Sequence, residues 1–472
     1  MCRPLTYIFN KYLKIGIFPK RWRISYISPI FKSGSRRFVD NYRGVAILPT
    51  IAKLFELLVS KILTSHFTHF ISPSQHGFMK GRSTVTNLLE FSNYAISVIE
   101  GGDQLDVVYT DIRKAFDRLR HSILLQKLYD IGIHSSLLNW IRTYLHSRYQ
   151  YVRILGCESQ SFIVKSGVPQ GSHLGPLLFI LFMNDVVDGF PFSKCLLFAD
   201  DLKIFRSVRN VRDASVLQRD LDTLSSWCQQ NGLDLNIEKC KCMSFYRTRS
   251  PVEFDYMIDG NSINRVNMIR DLGILFDEKM SFASHIDYIV SKAYSMLGFM
   301  MRICSEFNDP LVFRSVYYSH VRSNLEYGSV VWYPVQVVQK SKIESVQKKF
   351  LIYLFKKFGY LYYVKFAPYD FKIKLMGLES LEIRRTNACH YFIFDLLSGR
   401  INSSHILSLI NISVPPISFR HYRFLIPQFH RTNYGVFEPL NNMIILFNTI
   451  FEHFDFNVTR QSFRNTLRSL NV

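Results

Sequence analysis

Residues 194–205 read KCLLFADDLKIF, two short apolar runs on either side of Asp200 and Asp201. Each run suits a buried strand and is too short for a helix, and the break between them has the length of a hairpin turn. This stretch constrains the fold more than any other, because it puts two adjacent carboxylates at the tip of a hydrophobic hairpin. Side by side they repel, and burial raises the pKa of at least one unless a cation answers them. Ala-Asp-Asp alone is more often a solvated turn. The strand-like flanks argue for a site, since a buried-type hairpin seldom aims both acids at nothing.

A second acidic station supplies a partner. LDVVYTD (105–111) is a buried-type strand that ends on Asp111, and Phe116 follows five residues later. If the two strands are neighbours in one sheet, the three carboxylates converge. Such a set has a well-attested use: it holds two Mg²⁺ ions about 3.5–4 Å apart, one activating an attacking oxygen and one steadying a leaving oxygen. Asp106, Asp117 and Asp185 read instead as surface or capping residues.

Composition fits that chemistry. The chain has 472 residues, enough for two or three domains, and 48% are hydrophobic against 20% charged, as in globular proteins. Lys and Arg number 58 against 37 Asp and Glu, a net charge of +21, and so basic a chain usually meets nucleic acid. The eight cysteines are scattered without zinc-ligand spacing and suit a reducing, intracellular compartment. No apolar run approaches the roughly eighteen residues that span a membrane. The N-terminus reads as an amphipathic helix beginning almost at the first residue, which suggests a fragment of something longer.

Elsewhere the periodicity predicts a strand at 24–31 and a helix over IAKLFELLVSKILTSHFTHF with Leu54, Leu57, Leu58 and Ile62 at helical spacing. DASVLQRDLDTLSSWCQQNG reads as an amphipathic helix closed by Gly232. The alternation to about residue 280 describes one α+β domain, followed by a region richer in helix and aromatics.

Seven blocks occur in order between residues 12 and 277: NYRGVAILPTIAKLFE, QHGFMKGRSTVTNLL, VVYTDIRKAFDRLRH, SGVPQGSHLGPLLFILFMNDV, LLFADDLKIF, LDLNIEKCKCMSF and DLGILFD. Together they resemble the reverse transcriptase of non-LTR (LINE-type) retrotransposons, close to the jockey-like elements of insects. The resemblance implies a right-hand polymerase fold of the α+β class. Fingers and palm would occupy 1–277 (core 12–277), a thumb-like helical region 278–360 and a C-terminal helical region 361–472. It implies catalytic, metal-binding roles for Asp111, Asp200 and Asp201, with the Ile112 carbonyl assisting. Lys32, Arg43, Phe116, Gln170, Gly171 and Lys239 fall where the family contacts the nucleotide, Phe116 as the gate against a 2′-OH. Leu272 and Gly273 match the loop that grips the primer end. Arg36 and Arg37 read as solvated or template-facing, and Trp332 and Tyr333 more as core than as base-stacking platforms.

The implied function is RNA-directed DNA polymerisation with two Mg²⁺ ions, Mn²⁺ as a substitute. The implied partners are an RNA template, a DNA primer and dNTPs, with no membrane, in the nucleus or a cytoplasmic ribonucleoprotein. The alternative is an inactive or domesticated retrotransposon fragment that binds RNA without catalysis. An RNA-templated RNA polymerase is disfavoured by Phe116.

Overall fold

A computed structural model describes residues 2–360, 366–413, 423–450 and 458–470. After an N-terminal helix (Cys2–Ile15), strands β1 (Ile24–Phe31) and β2 (Tyr42–Ile47) pair antiparallel. Strand β3 (Gln104–Thr110) begins a different sheet. Strands β4 (Arg148–Ile154), β5 (Cys157–Glu158) and β6 (Phe162–Val164) complete the first sheet, with β4 parallel to β1.

The second sheet gathers strands from distant parts of the chain. Strands β7 (Lys194–Phe198), β8 (Asp201–Val208) and β9 (Lys241–Phe245) join β3. The short pair β10 (Met257–Ile258) and β11 (Asn261–Ser262) stands apart. Strand β12 (Asn264–Arg265) closes the sheet in the order β12-β9-β3-β8-β7. A hairpin of β13 (Met268–Asp271) and β14 (Ile274–Asp277) follows. Mixed helices and largely antiparallel sheets make this the α+β class expected.

Strand β3 lies at the centre because both of its faces are apolar. Leu105 and Val107 enter one core with Phe205 and Met243, while Val108 enters a second core with Leu202 and Ile204. Helix Thr84–Glu100 and the helices beyond residue 283 cover the first face; helices Gly175–Met183 and Val211–Asn231 cover the second. With fixed neighbours on both sides, the strand's C-terminal end cannot shift register without moving apolar groups into the wrong core.

Asp106 departs from the expectation of a surface residue. It is fully buried on β3 and accepts hydrogen bonds from Gln104 (2.7 Å), Ser244 (2.5 Å) and Tyr256 (2.7 Å), with Arg265 3.7 Å away. Its partners arrive from β9 and the β10–β12 segment, so this buried acid ties the sheet together. Asp185 bonds to Lys127 (2.7 Å) at the surface. The helix predicted after residue 50 spans Thr50–Phe67, but it buries Phe55, Val59, Leu63 and Phe67, while Leu54, Leu57, Leu58 and Ile62 stay exposed. Both faces of that helix are apolar, and the ring stack of Phe9 on Phe55 (4.4 Å) goes with the buried one.

The amphipathic helix Val211–Asn231 ends as read, with Gly232 left-handed at φ +68° and its N–H returned to the last turn. Beyond residue 283 the helices Ala283–Ile303, Val337–Lys357, Leu381–Leu397 and Pro439–Asn448 share the first core. Trp332 is buried among them and donates Nε1–H to the Tyr327 carbonyl (2.8 Å), which makes it core. All eight cysteines are free thiols. No described helix is long and apolar enough to cross a membrane.

Candidate active site

The register of the acid hairpin follows from its pairs. Leu197 faces Leu202 and Phe198 faces Asp201, which leaves Ala199 and Asp200 as a two-residue turn. Ala199 takes a left-handed backbone, φ +60°, uncommon for a residue with a Cβ. On the other side of β8, Thr110 of β3 faces Leu202, so one step further Asp111 lies across from Asp201. Asp111 is also held by the loop before β9: Asn236 N–H donates to its carbonyl (2.7 Å), and Arg113 N–H donates to the Asp234 carbonyl (2.9 Å). These two bonds flank the Ile112–Leu235 bridge. In an antiparallel pair the groups of the central residue then point the other way, so the Ile112 N–H and carbonyl turn away from Leu235.

The two acids of the hairpin are disturbed by their surroundings. Asp200 is half-buried, and burial followed by the Asp111 charge raises its pKa; Arg43 and Lys32 pull it back. Asp201 keeps solvent contact, yet desolvation of its carboxyl and the charges of Asp200, Asp271 and Asp111 push it up to about 6. That solvent contact screens the repulsion, so its energetic weight is small beside the size of the shift.

Among the described residues no three acidic, imidazole or thiol side chains already form a metal cage. Magnesium does not require one, because it is commonly held by one or two carboxylates together with waters and substrate phosphates. The donor set fits such an ion: hard oxygens, excess negative charge, and carboxyl groups whose raised pKa a cation would reverse.

What steadies the strained turn was not visible in the sequence. Gln75 is buried and accepts from the N–H groups of both Ala199 (3.0 Å) and Gly77 (2.8 Å). Its neighbours extend β7 through His76 N–H to the Leu197 carbonyl and Leu197 N–H to the Ser74 carbonyl (2.9 Å each). A Cβ on Gly77 would lie 2.4 Å from the Ala199 nitrogen, so only glycine lets the backbones approach. Arg82 fastens this loop through the carbonyls of Ser72, Pro73 and Gln75 (2.7–3.1 Å). The QHGFMKGRS block therefore clamps the acid hairpin.

Of the other predicted residues, Lys32 and Arg43 act on Asp200 and Lys239 stands near Asp111, while Phe116, Gln170 and Gly171 belong to a neighbouring set of contacts. Lys32 follows β1 and Arg43 lies on β2, near enough to act on Asp200. The SGVPQGS turn docks on β2, with Ala46 N–H donating to the Gln170 carbonyl (2.7 Å) and Gly171 at φ +109° against the Ala46 carbonyl. The Gln170 amide donates to Asp117 (3.0 Å), which is exposed in the first turn of the short helix Ala115–Arg118, as expected of a surface or capping acid. Phe116 stacks on Phe179 (4.1 Å), and Val168 N–H donates to its carbonyl (2.8 Å). Lys239 stands 3.7 Å from Asp111.

A second two-residue turn, Leu272-Gly273, closes β13–β14. Tyr327 crosses it, donating to the Leu272 carbonyl (2.9 Å), and a Cβ on Gly273 would meet its ring at 2.9 Å. The hairpin is joined to the acid site by a pair that sequence reasoning missed. Lys203, two residues beyond Asp201 on the same face of β8, forms a buried ion pair with Asp271 at the end of β13. Its ammonium also lies over the Phe91 ring (4.6 Å). A cavity of about 290 Å³ opens between the hairpins, bounded by Asp111, Asp201, Lys203, Lys239, Asp271 and Leu272.

Comparison with known proteins meets this geometry. Residues 30–300 match the family model described as reverse transcriptase (RNA-dependent DNA polymerase). The probable RNA-directed DNA polymerase from transposon BS of Drosophila melanogaster is 27% identical over 73% of this chain and 39% of its own length. The RNA-directed DNA polymerases from mobile element jockey are 30% identical in Drosophila melanogaster and 31% in Drosophila funebris, each over 60% of this chain and 32% of the relative. The chain thus spans a third to two-fifths of the length of these relatives. An apo telomerase from Candida tropicalis is similar at a TM-score of 0.42 and 11% identity, covering 86% of this chain and 73% of that one, a likeness too slight to carry weight. The family match covers more than half of the sequence and spans every strand of the acid site: the chain belongs to the reverse transcriptase (RNA-dependent DNA polymerase) family.

Proposed function

We propose that this chain is an RNA-directed DNA polymerase of a non-LTR retrotransposon, joining a dNTP to a primer 3′-OH on an RNA template with release of pyrophosphate. The observation that carries the reading is the strand register that sets Asp111 opposite Asp201, with Asp200 at the adjoining turn and Lys32 and Arg43 acting on it. Asp111, Asp200, Asp201 and the Ile112 carbonyl would hold two Mg²⁺ ions, or Mn²⁺ in their place, which lower the pKa of the attacking hydroxyl and offset charge on the leaving pyrophosphate.

The remaining roles belong to the chain itself. Arg43 and Lys32 bind and orient the triphosphate, Arg in bidentate fashion and Lys as a point charge. Phe116, fixed by Phe179, closes the space a 2′-OH would need. Gln170, Gly171 and the turn around them align nucleotide and template. Lys239 stands ready to give a proton to the pyrophosphate, and the Leu272-Gly273 turn seats the primer end. Catalysis is chiefly positioning and charge stabilisation. Residues 1–277 act as fingers and palm, 278–360 as a thumb over the heteroduplex, and 361–472 as a further helical flank. The place of work is the nucleus or a cytoplasmic ribonucleoprotein.

The test is extension of an oligo(dT) primer on poly(rA) with Mg²⁺. The unsubstituted chain should extend the primer and Asp200→Asn should lose at least about a hundred-fold in rate. Equal extension by both would show that the acids are not the centre. RNA binding without any extension would favour the non-catalytic fragment.

A further inference from the structure

A second basic cavity lies far along the chain from the acid site. It encloses about 790 Å³ between the segment around Tyr318–Ser329, helix Leu381–Leu397 and the last described helix, Arg460–Leu470. Five arginines line it, Arg322, Arg384, Arg460, Arg464 and Arg468, against two carboxylates, Glu326 and Glu379.

The charges do not cancel. Glu326 is shared by Arg322 and Arg384, and Glu379 adds a second bond to Arg384 (3.2 Å). Arg460 is held by Asp395 (2.9 Å). Arg464 and Arg468 have no ion pair among the described residues, although both face the cavity. The last helix explains their direction. Phe463 and Leu467 are buried, with Phe463 stacked on Phe394 (4.5 Å), so residues 460, 464 and 468 form a stripe at four-residue spacing beside the buried one. That spacing sets the residues about 6 Å apart along the axis, so their guanidinium groups can reach successive phosphates of an unstacked strand. The same cavity is lined by the Arg322 guanidinium over the Tyr318 ring at 3.6 Å, a cation–π pair of two flat groups of the kind on which bases pack.

We infer that this groove is a binding site for a single-stranded nucleic acid, held through its phosphodiester backbone by Arg464 and Arg468. A second copy of the chain is a poor occupant, because the chain carries a net charge of +21. An acidic protein segment offers carboxylates but nothing for the planar Arg322–Tyr318 face. The site does not depend on the polymerase reading.

The experiment uses the full chain and labelled oligouridylate or oligothymidylate of equal length, titrated across salt concentrations. Arg464→Ala/Arg468→Ala should bind about ten-fold more weakly, with a salt slope smaller by about 1.4, two phosphate contacts on a single strand. Arg464→Lys/Arg468→Lys should keep the slope, which separates lost charge from a lost helix. Tighter binding of the uridylate would identify RNA as the strand, and equal binding would identify the shared backbone. Unchanged affinity and slope in the alanine variant would overturn the site. So would tighter binding of polyglutamate than of either oligonucleotide at matched charge, which would mark an acidic-protein groove. Extension by the unsubstituted chain reads the polymerase separately, so either conclusion can fail alone.

Discussion

Two hairpins face each other across the acid site, and they solve the same local problem in different ways. Each has a two-residue turn that needs a left-handed backbone. In β13–β14 the strain falls on Leu272 and Gly273, and glycine absorbs part of it at φ +95°. In β7–β8 it falls on Ala199, beside two acids that repel each other. Both turns are also held from outside, the first by Tyr327 on the Leu272 carbonyl and the second by the Gln75 side-chain amide oxygen and the close approach of Gly77. The difference teaches where function is installed: the turn that carries the acids has no glycine of its own to absorb the strain and relies on the close approach of Gly77 from another part of the chain, as strained functional segments rely on their surroundings.

The strongest way to break the comparison is to cut the link between the hairpins. Lys203→Met leaves Asp271 buried without its partner and should cost about 3–5 kcal/mol of stability, read by denaturant unfolding. The double change Lys203→Met/Asp271→Leu should recover most of that loss while leaving the hairpins uncoupled. If the single change is neutral, the pair does not connect them. A smaller effect should follow from Gln75→Ala, which strips the acceptor from the Ala199 and Gly77 N–H groups. We expect about 1–3 kcal/mol, with amide exchange rising at the β7–β8 turn and staying constant at β13–β14. Equal loosening of both turns would contradict a clamp specific to the acid hairpin.

How far the sequence spoke depends on distance along the chain. The acid hairpin was legible because its signal is local: apolar runs, a turn and two acids within twelve residues. Helix Thr50–Phe67 was legible as a helix but not as to which face is buried, because Leu54 and Leu58 compete with Phe55 and Val59, and only packing against Phe9 and Trp140 decides. The burial of Asp106 was hidden because its partners Ser244 and Tyr256 are 138 and 150 residues away. Gln75 and Ala199 are separated by 124 residues, Lys203 and Asp271 by 68. Ordinary-looking polar residues acquired their roles through partners that no local pattern announces. The ordered blocks did mark their neighbourhood, since Gln75, Gly77 and Arg82 all fall within QHGFMKGRS.

The central claim is that the hairpin acids form a cation site whose mutual repulsion is relieved by metal. Titration of the full chain with Mn²⁺, followed by electron paramagnetic resonance at pH 8 and at pH 5, tests it most directly. The Asp201 carboxyl is pushed up to about 6 in the folded chain, so at pH 8 it is ionised and at pH 5 mostly protonated. A cation must then displace a proton at the lower pH. Binding should therefore be present at pH 8, weaken at pH 5, and disappear at both in Asp111→Asn/Asp200→Asn with the far-UV dichroism unchanged. Mn²⁺ binding that ignores both the pH change and the double substitution would contradict the account.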